Sequence, residues 1–203
     1  MTDDLSLAPG GFPIAPPQAP QVRSAWRRGF GIFMMRLTGW RIAGNLPDLP
    51  KFVLIVAPHT SNWDFFYGAL AYFTLCMETT WLVKDSAVRG PLGALARYFG
   101  AAPIDRSQAT NVVQAYLREF AKRDRMILTI TPEGTRKKVP EWKRGFYYVA
   151  NGAHVPIVPV AFDFPTKRII IYPPFDPSGD VDADLPKIKA YFRAEMARHP
   201  EQF

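Results

Sequence analysis

The segment Phe52–Asp64, FVLIVAPHTSNWD, decides how the chain folds and where its chemistry lies. Its first part, Phe52–Ala57, is an apolar run that ends at a proline, a pattern typical of a strand buried in a sheet. Ser61 can cap a helix that begins near Asn62, with Asp64 as the acidic residue three positions after the cap. The segment therefore predicts a strand, a short loop and a helix in succession.

The same segment places His59 in the loop and Asp64 five positions later, in the first turn of the helix. Residues five apart on one continuous helix point about 140° apart, so these side chains can meet only across the strand-to-helix junction. A carboxylate beside one imidazole nitrogen sets the tautomer and leaves the other nitrogen to accept a proton. The pattern indicates either a general base with its orienting partner, or a helix cap beside an ordinary loop histidine.

Composition limits the classes of protein that the sequence can encode. The chain has 203 residues, which suits a single domain, and 48% of them are hydrophobic, which suits a globular protein. The net charge of +7 favours phosphate, in lipid headgroups, small substrates or nucleic acid, although solvated charge for solubility produces the same value. No recognised nucleic-acid-binding module accompanies the charge, so we do not expect a nucleic-acid partner.

Cys76 is the sole cysteine, so no disulfide can form within the chain, and its apolar neighbours predict a buried side chain rather than a nucleophile. A reducing compartment fits this usage. The N-terminus is acidic and then proline-rich, unlike a secretory signal, and no uncharged apolar run reaches the roughly 18 residues needed to span a bilayer. The histidines, at positions 59, 154 and 199, lack a metal-ligand spacing, so no metal is expected.

Three segments are expected along the chain: a flexible proline-rich arm over residues 1–21, an amphipathic segment over 22–47 and the main domain over 48–203. In the amphipathic segment a helix is predicted from Ser24 to Thr38. Its large apolar residues recur at helical spacing on one face; they are Trp26, Phe30, Phe33 and Leu37. This stripe is typical of a helix lying in a membrane surface with basic flanks, and equally of a helix packed on the protein's own core.

Apolar runs and helix-period runs alternate along the rest of the chain. Strands are predicted at 40–46, 52–57, 80–83, 100–104, 126–131, 157–162 and 168–172, and helices at 62–77, 89–98, 112–123, up to about 151, and 185–199. This alternation predicts an α/β sandwich with a mostly parallel sheet flanked by helices and with functional loops at the carboxyl ends of the strands. Polar residues expected at those ends are His59, Lys84, Arg106 and Glu133.

Taken together, the loops resemble the four sequence blocks of the 1-acyl-glycerol-3-phosphate acyltransferase family. His59-x4-Asp64 matches the first block and Gly100–Arg106, GAAPIDR, the second. The third block is matched by PEGTR at 132–136 with KRG at 143–145, and the fourth by VPIVPV at 155–160. Pro58 and Pro103 depart from the asparagine and phenylalanine that the family more often has, which suggests a divergent subgroup with its own acceptor.

The resemblance implies a membrane-surface O-acyltransferase that moves a fatty acyl group from acyl-CoA or acyl-carrier protein to a hydroxyl of a lysophospholipid such as 1-acyl-glycerol-3-phosphate. It implies no bound cofactor, an anionic membrane surface as a partner, and peripheral attachment at the cytoplasmic face of the membrane. Residues 48–203 would be the acyltransferase domain, with His59 and Asp64 as the catalytic pair. The substrate-binding residues would be Lys84, Arg106, Glu133, Gly134, Thr135 and Arg136.

The residue chemistry is compatible with such a reaction. No serine lies in a G-x-S-x-G elbow, so direct attack by an alcohol that His59 deprotonates is favoured over a covalent acyl-enzyme. A phosphate on the acceptor needs cations and backbone donors, which Arg106, Arg136, Lys84 and the Gly134 amide can supply. As a carboxylate, Glu133 would instead hold one of the arginines or accept a hydrogen bond from a glycerol hydroxyl. Backbone amides near 155–157 are candidate oxyanion donors.

An acyl chain also needs an apolar channel, because each methylene left in water costs about 0.8 kcal/mol. Aromatic and apolar residues of the helix after Asp64 are candidates to line it; they are Phe65, Phe66, Tyr67, Leu70 and Tyr72. Two other functions stay open on the sequence. One is a non-catalytic module that binds lipid headgroups or membranes, and the other is a thioesterase that releases free fatty acid.

Overall fold

The central strand of the fold is the apolar run predicted from the sequence, and it is paired with a neighbour on each side. The computed structural model describes residues 12–84, 90–98, 100–104 and 109–203. The helices are α1 (Ala25–Thr38), α2 (Asn62–Leu75), α3 (Gly90–Tyr98), α4 (Ala109–Lys122), α5 (Gly145–Gly152) and α6 (Val181–Lys189). The strands are β1 (Arg41–Ala43), β2 (Lys51–Ala57), β3 (Trp81–Lys84), β4 (Ala101–Ile104), β5 (Met126–Ile130), β6 (Ile157–Asp163) and β7 (Arg168–Ile171).

The main sheet has the order β1-β7-β6-β2-β5, and all neighbouring strands run parallel except the antiparallel pair β6 and β7. Strands β3 and β4 form a second parallel pair. A parallel bridge between Thr80 and Leu128 joins that pair to β5. The prediction of an α/β fold with a mostly parallel sheet flanked by helices is confirmed.

Helices cover both faces of the main sheet. Alternate residues of β2 point to opposite sides, so Val53 and Ile55 pack with α4, α5 and α6, whereas Phe52 and Leu54 pack with α1 and α2. All four of these strand residues are at most 4% exposed. A strand buried on both faces needs apolar residues at successive positions, which explains why β2 is a continuous apolar run rather than an alternating one.

Helix α1 packs against α2 in an antiparallel pair. Near the start of α1 the Arg28 guanidinium donates a hydrogen bond to the carbonyl of Thr74, near the end of α2. Just after α1, Trp40 stacks on Tyr67 in the first half of α2, with 4.0 Å between ring centroids. The end of α1 therefore lies beside the start of α2.

The apolar stripe of α1 is largely exposed to solvent, although Phe30 makes an edge contact with Phe73 of α2, with 6.0 Å between ring centroids. Met35 and Gly31 are the buried residues of the helix, and they lie on the side that contacts α2. The stripe residues are solvent-exposed by 71% (Trp26), 41% (Phe30), 63% (Phe33) and 68% (Leu37). Helix α1 therefore packs on the rest of the protein through Gly31 and Met35, while its apolar stripe stays largely exposed to solvent.

The flexible arm expected over residues 1–21 does not extend through its second half. From residue 12 onward the chain packs on α2: the Ala15 amide donates to the Leu75 carbonyl at 2.8 Å, and Ala19 is 0% exposed. Proline prevents helix formation there but leaves carbonyls free to accept, and the Arg28 guanidinium donates to those of Phe12 and Pro13. Residues 1–11 lie outside the described part of the chain.

The C-terminal helix predicted over 185–199 is wrong in its second half. The helix begins earlier, because the Asp180 carboxylate caps it by accepting from the amides of Asp182 and Ala183, and it ends at Lys189. Beyond it the Met196 carbonyl accepts a hydrogen bond from the Phe164 amide. That tertiary bond holds the chain against the end of β6 in place of helical continuation.

The chain has no helix, in the part that the structure describes, with the length and hydropathy required to cross a bilayer.

Candidate active site

Two neighbouring parallel strands bring the first and third sequence blocks together. Strand β2 pairs with β5, with Ile55 opposite Ile130, so the carboxyl ends of both strands open at the same edge of the sheet. His59 follows β2 and Glu133 follows β5. The predicted meeting of these two loops is therefore produced by the strand register itself.

His59 and Asp64 meet across the strand-to-helix junction as predicted. His59 Nδ1 lies 3.0 Å from Asp64 Oδ2, and the side chains are 18% and 1% exposed, respectively. Within the described residues Nδ1 makes no aligned hydrogen bond, so the contact is close but not yet directed along the N–H bond. Catalytic hydrogen bonds often reach good alignment only when substrate is bound.

The helix start that the sequence predicted holds the Asp64 carboxylate in place. Ser61 caps α2 by accepting from the Trp63 amide, and Asp64 completes the capping box. Asp64 Oδ2 accepts from the amides of Thr60 and Ser61 at 2.9 and 2.8 Å. The carboxylate therefore organises the loop backbone as well as facing the imidazole.

Glu133 makes a contact that the sequence did not predict. Its Oε1 and Oε2 accept from the backbone N–H of His59 at 3.0 and 3.2 Å, and the residue is 2% exposed. Burial raises the pKa of the Glu133 carboxyl from 4.5 to about 7, against the lowering effect of the His59 amide and imidazole. Glu133 thus supports the loop that carries His59.

A cavity of about 540 Å³ opens beside the pair, and both His59 and Asp64 line it. This volume is within the usual range for small-molecule sites. Of the candidates for an acyl channel, Phe65 and Tyr72 line the cavity. The other three are not among its lining residues: Leu70 is buried in the core between α2 and the sheet, and Phe66 and Tyr67 pack against that core. The wall is mostly apolar and is completed by small residues of α2, Gly68, Ala69 and Ala71.

Cationic side chains from the third block stand at the same cavity. Arg136 lines it, and so does Lys143, a residue of the third block that was not predicted as part of the site. The Lys143 amine lies 2.8 Å from the position that a Cβ on Gly134 would occupy. Gly134, with φ of 67°, therefore leaves room for the lysine. The motif spacing was the signal that could have identified Lys143.

The other predicted residues of the third block have different surroundings. The Gly134 amide donates to the Thr131 carbonyl at 3.1 Å, so it closes a turn and is not a free donor for phosphate. The exposed Thr135 hydroxyl accepts from the Lys137 amide at 3.3 Å.

The remaining predicted cations lie at or beyond the limits of the described structure. Lys84 is the last residue of β3, whose parallel connection to β5 places its end at the same edge of the sheet as His59. Arg106 lies outside the described residues.

The suggestion that amides near 155–157 stabilise an oxyanion is wrong. Ile157 begins β6 opposite Val53, so this segment lies at the amino edge of the sheet, away from His59. The Val155 and Ile157 amides already donate to the carbonyls of Ala150 and Phe175. Elsewhere in the described chain, no group of three or more His, Cys, Asp or Glu side chains is placed to hold a metal ion.

The fold is a mostly parallel α/β sandwich, and it places a histidine beside a buried carboxylate at the end of a strand. The family described as Acyltransferase matches residues 42–163, which is more than half of the chain. The chain belongs to the Acyltransferase family.

Two known proteins are similar to this chain, one in sequence and one in fold. A 1-acyl-sn-glycerol-3-phosphate acyltransferase of Streptococcus pneumoniae (strain ATCC BAA-255 / R6) is 28% identical over 135 residues, which are 62% of this chain. The chain spans about half, 50%, of the length of that protein. The crystal structure of the 1-acyl-sn-glycerophosphate (LPA) acyltransferase PlsC from Thermotoga maritima superposes with a TM-score of 0.58 at 18% identity, covering 82% of this chain and 75% of the other. That likeness confirms the fold.

Proposed function

We propose that this protein is a membrane-surface O-acyltransferase that transfers a fatty acyl group from acyl-CoA or acyl-carrier protein to a hydroxyl of a lysophospholipid such as 1-acyl-glycerol-3-phosphate. The observation that carries the proposal is the contact of 3.0 Å between His59 and the buried Asp64 at the wall of a large, mostly apolar cavity. The names of the two relatives point to the same reaction class.

In this reaction His59 acts as the general base. With Nδ1 at Asp64, Nε2 is the nitrogen left to take the proton of the acceptor hydroxyl as its oxygen attacks the thioester carbonyl carbon. The tetrahedral intermediate collapses by breaking the carbon–sulfur bond, and the leaving thiolate takes the proton back from the imidazolium. An ester and a free thiol result, with no covalent enzyme intermediate and no bound cofactor.

The acceptor phosphate would bind at the cationic side of the cavity. Arg136 and Lys143 line it, and an arginine offers a bidentate fork that matches a phosphate. Lys84 at the end of β3 and Arg106, beyond the described part of β4, are further candidates for the same role.

The exposed face of α1 suits attachment to the cytoplasmic face of a membrane. Because α1 and α2 are antiparallel, the stripe from Trp26 to Leu37 runs toward the end of α2 that carries the site. An amphipathic helix with large apolar side chains on one face lies in the interface with that face in the lipid. The C-terminal end of the stripe then lies near the end of α2 that carries Asp64.

The experiment that tests the proposal measures thiol release from palmitoyl-CoA with and without 1-acyl-glycerol-3-phosphate, with lipid products identified by mass spectrometry. His59→Ala should lower acceptor-dependent turnover by about 10²–10⁴-fold or more, since that is the usual contribution of a general base. The matched control is His154→Asn, because His154 is exposed, lies at the amino edge of the sheet and has φ of 53°, which asparagine tolerates.

Each other outcome identifies an alternative. Thiol and free fatty acid released without acceptor would indicate a thioesterase. Vesicle binding without any thiol release across a panel of lysophospholipids and both donors would indicate a non-catalytic lipid-binding module. Full turnover by the His59→Ala protein would refute the mechanism.

A further inference from the structure

The segment Arg198–Phe203 lies directly against the loop that carries His59. The backbone N–H of His199 donates to Thr60 Oγ1 at 3.2 Å. One terminal atom of the Gln202 amide lies 3.2 Å from the Thr60 carbonyl oxygen and 2.6 Å from the Arg136 carbonyl oxygen, and we assign it as the nitrogen, which donates to both. Both atoms facing that nitrogen are carbonyl oxygens, which sets the orientation of the amide. One side chain therefore bridges the first and third sequence blocks.

The bridge completes the support of a loop that is held from two other directions. Asp64 accepts from the Thr60 and Ser61 amides, and Glu133 accepts from the His59 amide. Those bonds hold the N–H groups of the loop, whereas Gln202 holds its Thr60 carbonyl. Thr60 is 3% exposed, so a carbonyl left without a donor here would be costly.

The segment is anchored independently of these hydrogen bonds. Phe203 packs against Trp142 with 6.4 Å between ring centroids and belongs to the core on the α4–α6 side of the sheet. Arg198 stands over the ring of Trp63, with its guanidinium carbon 5.8 Å from the centroid. These contacts anchor the chain on both sides of Gln202. A change in the Gln202 amide group alone therefore leaves the rest of the segment attached.

We propose that Gln202 is a positioning residue, which holds the loop bearing His59 in register with the loop bearing Arg136. The inference rests on the proposed function, because the base and the cation that binds phosphate must stay at a fixed separation for one substrate to reach both. Small displacements of a reacting group lower turnover strongly, since the attacking atom must stand about 3 Å from its base. Gln202 is not among the residues that line the cavity, and it acts through the two backbones.

The test compares three substitutions that differ in hydrogen-bond donors. Gln202→Met keeps the shape without donors, Gln202→Glu places an oxygen against the two carbonyls, and Gln202→Lys restores a donor. We expect the Gln202→Met and Gln202→Glu proteins to transfer the acyl group from palmitoyl-CoA to 1-acyl-glycerol-3-phosphate with a kcat lowered on the order of 10- to 100-fold. The kcat of the Gln202→Lys protein should stay within about threefold of that of the unsubstituted protein. Gln114→Met, on the exposed face of α4, is the matched control and should leave kcat unchanged.

Thermal unfolding midpoints are measured on the same proteins to separate positioning from folding. A Met variant that melts near the unsubstituted protein but turns over slowly supports the inference. If it fails to fold, the Glu and Lys variants decide between donor chemistry and simple packing. Equal kcat for Met and the unsubstituted protein, or losses in kcat that are the same for Lys as for Glu, would overturn the role of Gln202. An unsubstituted protein without acyl transfer would instead refute the proposed function.

Discussion

At the scale of single residues, Glu133 shows how a motif residue far along the chain can hold the backbone of another motif. Both of its oxygens accept from the His59 amide, and burial raises its pKa from 4.5 to about 7. Near neutral pH the carboxyl therefore carries a proton for part of the time. An acid whose pKa is raised on folding makes the folded state bind more protons than the unfolded state, between the two values.

This linkage predicts how Glu133→Gln changes stability with pH. The contribution of Glu133 to the free energy of unfolding declines as pH rises from about 4.5 to about 7. A glutamine cannot titrate, so it shows no such decline. The variant should therefore gain stability relative to the unsubstituted protein as pH rises from 5 to 8. Urea unfolding at pH 5, 6, 7 and 8 measures the difference. The exposed Glu141→Gln serves as the control, and a difference that stays constant with pH for Glu133→Gln would contradict the raised pKa.

At the scale of elements, the contact between α1 and α2 depends on a glycine. A Cβ on Gly31 would lie 2.6 Å from Thr74 Oγ1 and 2.7 Å from the Thr74 backbone nitrogen. The backbone of α2 cannot withdraw without shifting the helix. On the same helix, a Cβ on Gly29 would meet nothing within 4 Å. The two glycines therefore form a natural pair for comparison.

We expect opposite effects from alanine at these two positions. Gly31→Ala should lower the free energy of unfolding by about 1–3 kcal/mol, because overpacking forces the helices apart. Gly29→Ala should leave it unchanged or raise it by up to about 1 kcal/mol, because alanine favours the helix. Chemical denaturation of both variants measures the difference. Equal effects would show that the helices do not approach each other as closely as described.

The exposed stripe of α1 carries a second prediction at this scale. Replacing Trp26, Phe33 and Leu37 together by serine should weaken binding to anionic phospholipid vesicles by about 100-fold or more, since the apolar area available for burial in lipid is lost. Vesicle sedimentation measures the partition. Tyr148→Ser, on an exposed position of α5 at the opposite face of the sheet, should bind as the unsubstituted protein does. Undiminished binding of the triple variant would exclude α1 as the membrane contact.

At the scale of the whole molecule, the buried carboxylate of Asp184 connects α6 to α5 in the layer of helices formed by α4, α5 and α6. Asp184, 1% exposed, accepts from the Tyr147 hydroxyl of α5, from the amide and hydroxyl of Ser178, and from the amine of Lys187. Burial raises the pKa of this carboxyl, but the bonds donated by Ser178, Tyr147 and Lys187 outweigh it and hold the pKa well below its usual range. The ionised carboxylate is the form that holds the layer together.

Acid stability should therefore depend on Asp184. A lowered pKa contributes stability that is present above the ordinary value, 3.8, and is lost as pH falls below it. Asp184→Asn should lower the free energy of unfolding at pH 7 by about 2–3 kcal/mol. Between pH 5 and 2 the free energy of unfolding of this variant should fall less than that of the unsubstituted protein. Denaturant titrations across that range measure both effects. Asp182→Asn, whose carboxylate is 75% exposed, should change little, and equal pH slopes for Asp184→Asn and the unsubstituted protein would contradict the prediction.

Several features of the fold and site followed from local sequence. The β2 run, the Ser61 cap and the placement of His59 and Asp64 across one junction were predicted correctly, because strand burial and helix capping act over a few residues. The predicted C-terminal helix went wrong where a tertiary bond, from the Phe164 amide to the Met196 carbonyl, competes with the helix. Local propensity contains no information about such a partner.

The amino-acid sequence by itself determined the alternation of strands and helices, the meeting of His59 with Asp64, and the motif blocks. Each of these depends mainly on residues that are near one another in the chain. Only the tertiary structure decided that Glu133 holds the His59 backbone, that Gln202 bridges two loops and that the α1 stripe points outward. These three features join residues that are distant in the chain or depend on which helix face is covered. The register of β2 and β5 places Glu133 beside His59, the packing of Phe203 and Arg198 places Gln202, and the packing of α1 on α2 decides which face of α1 is exposed.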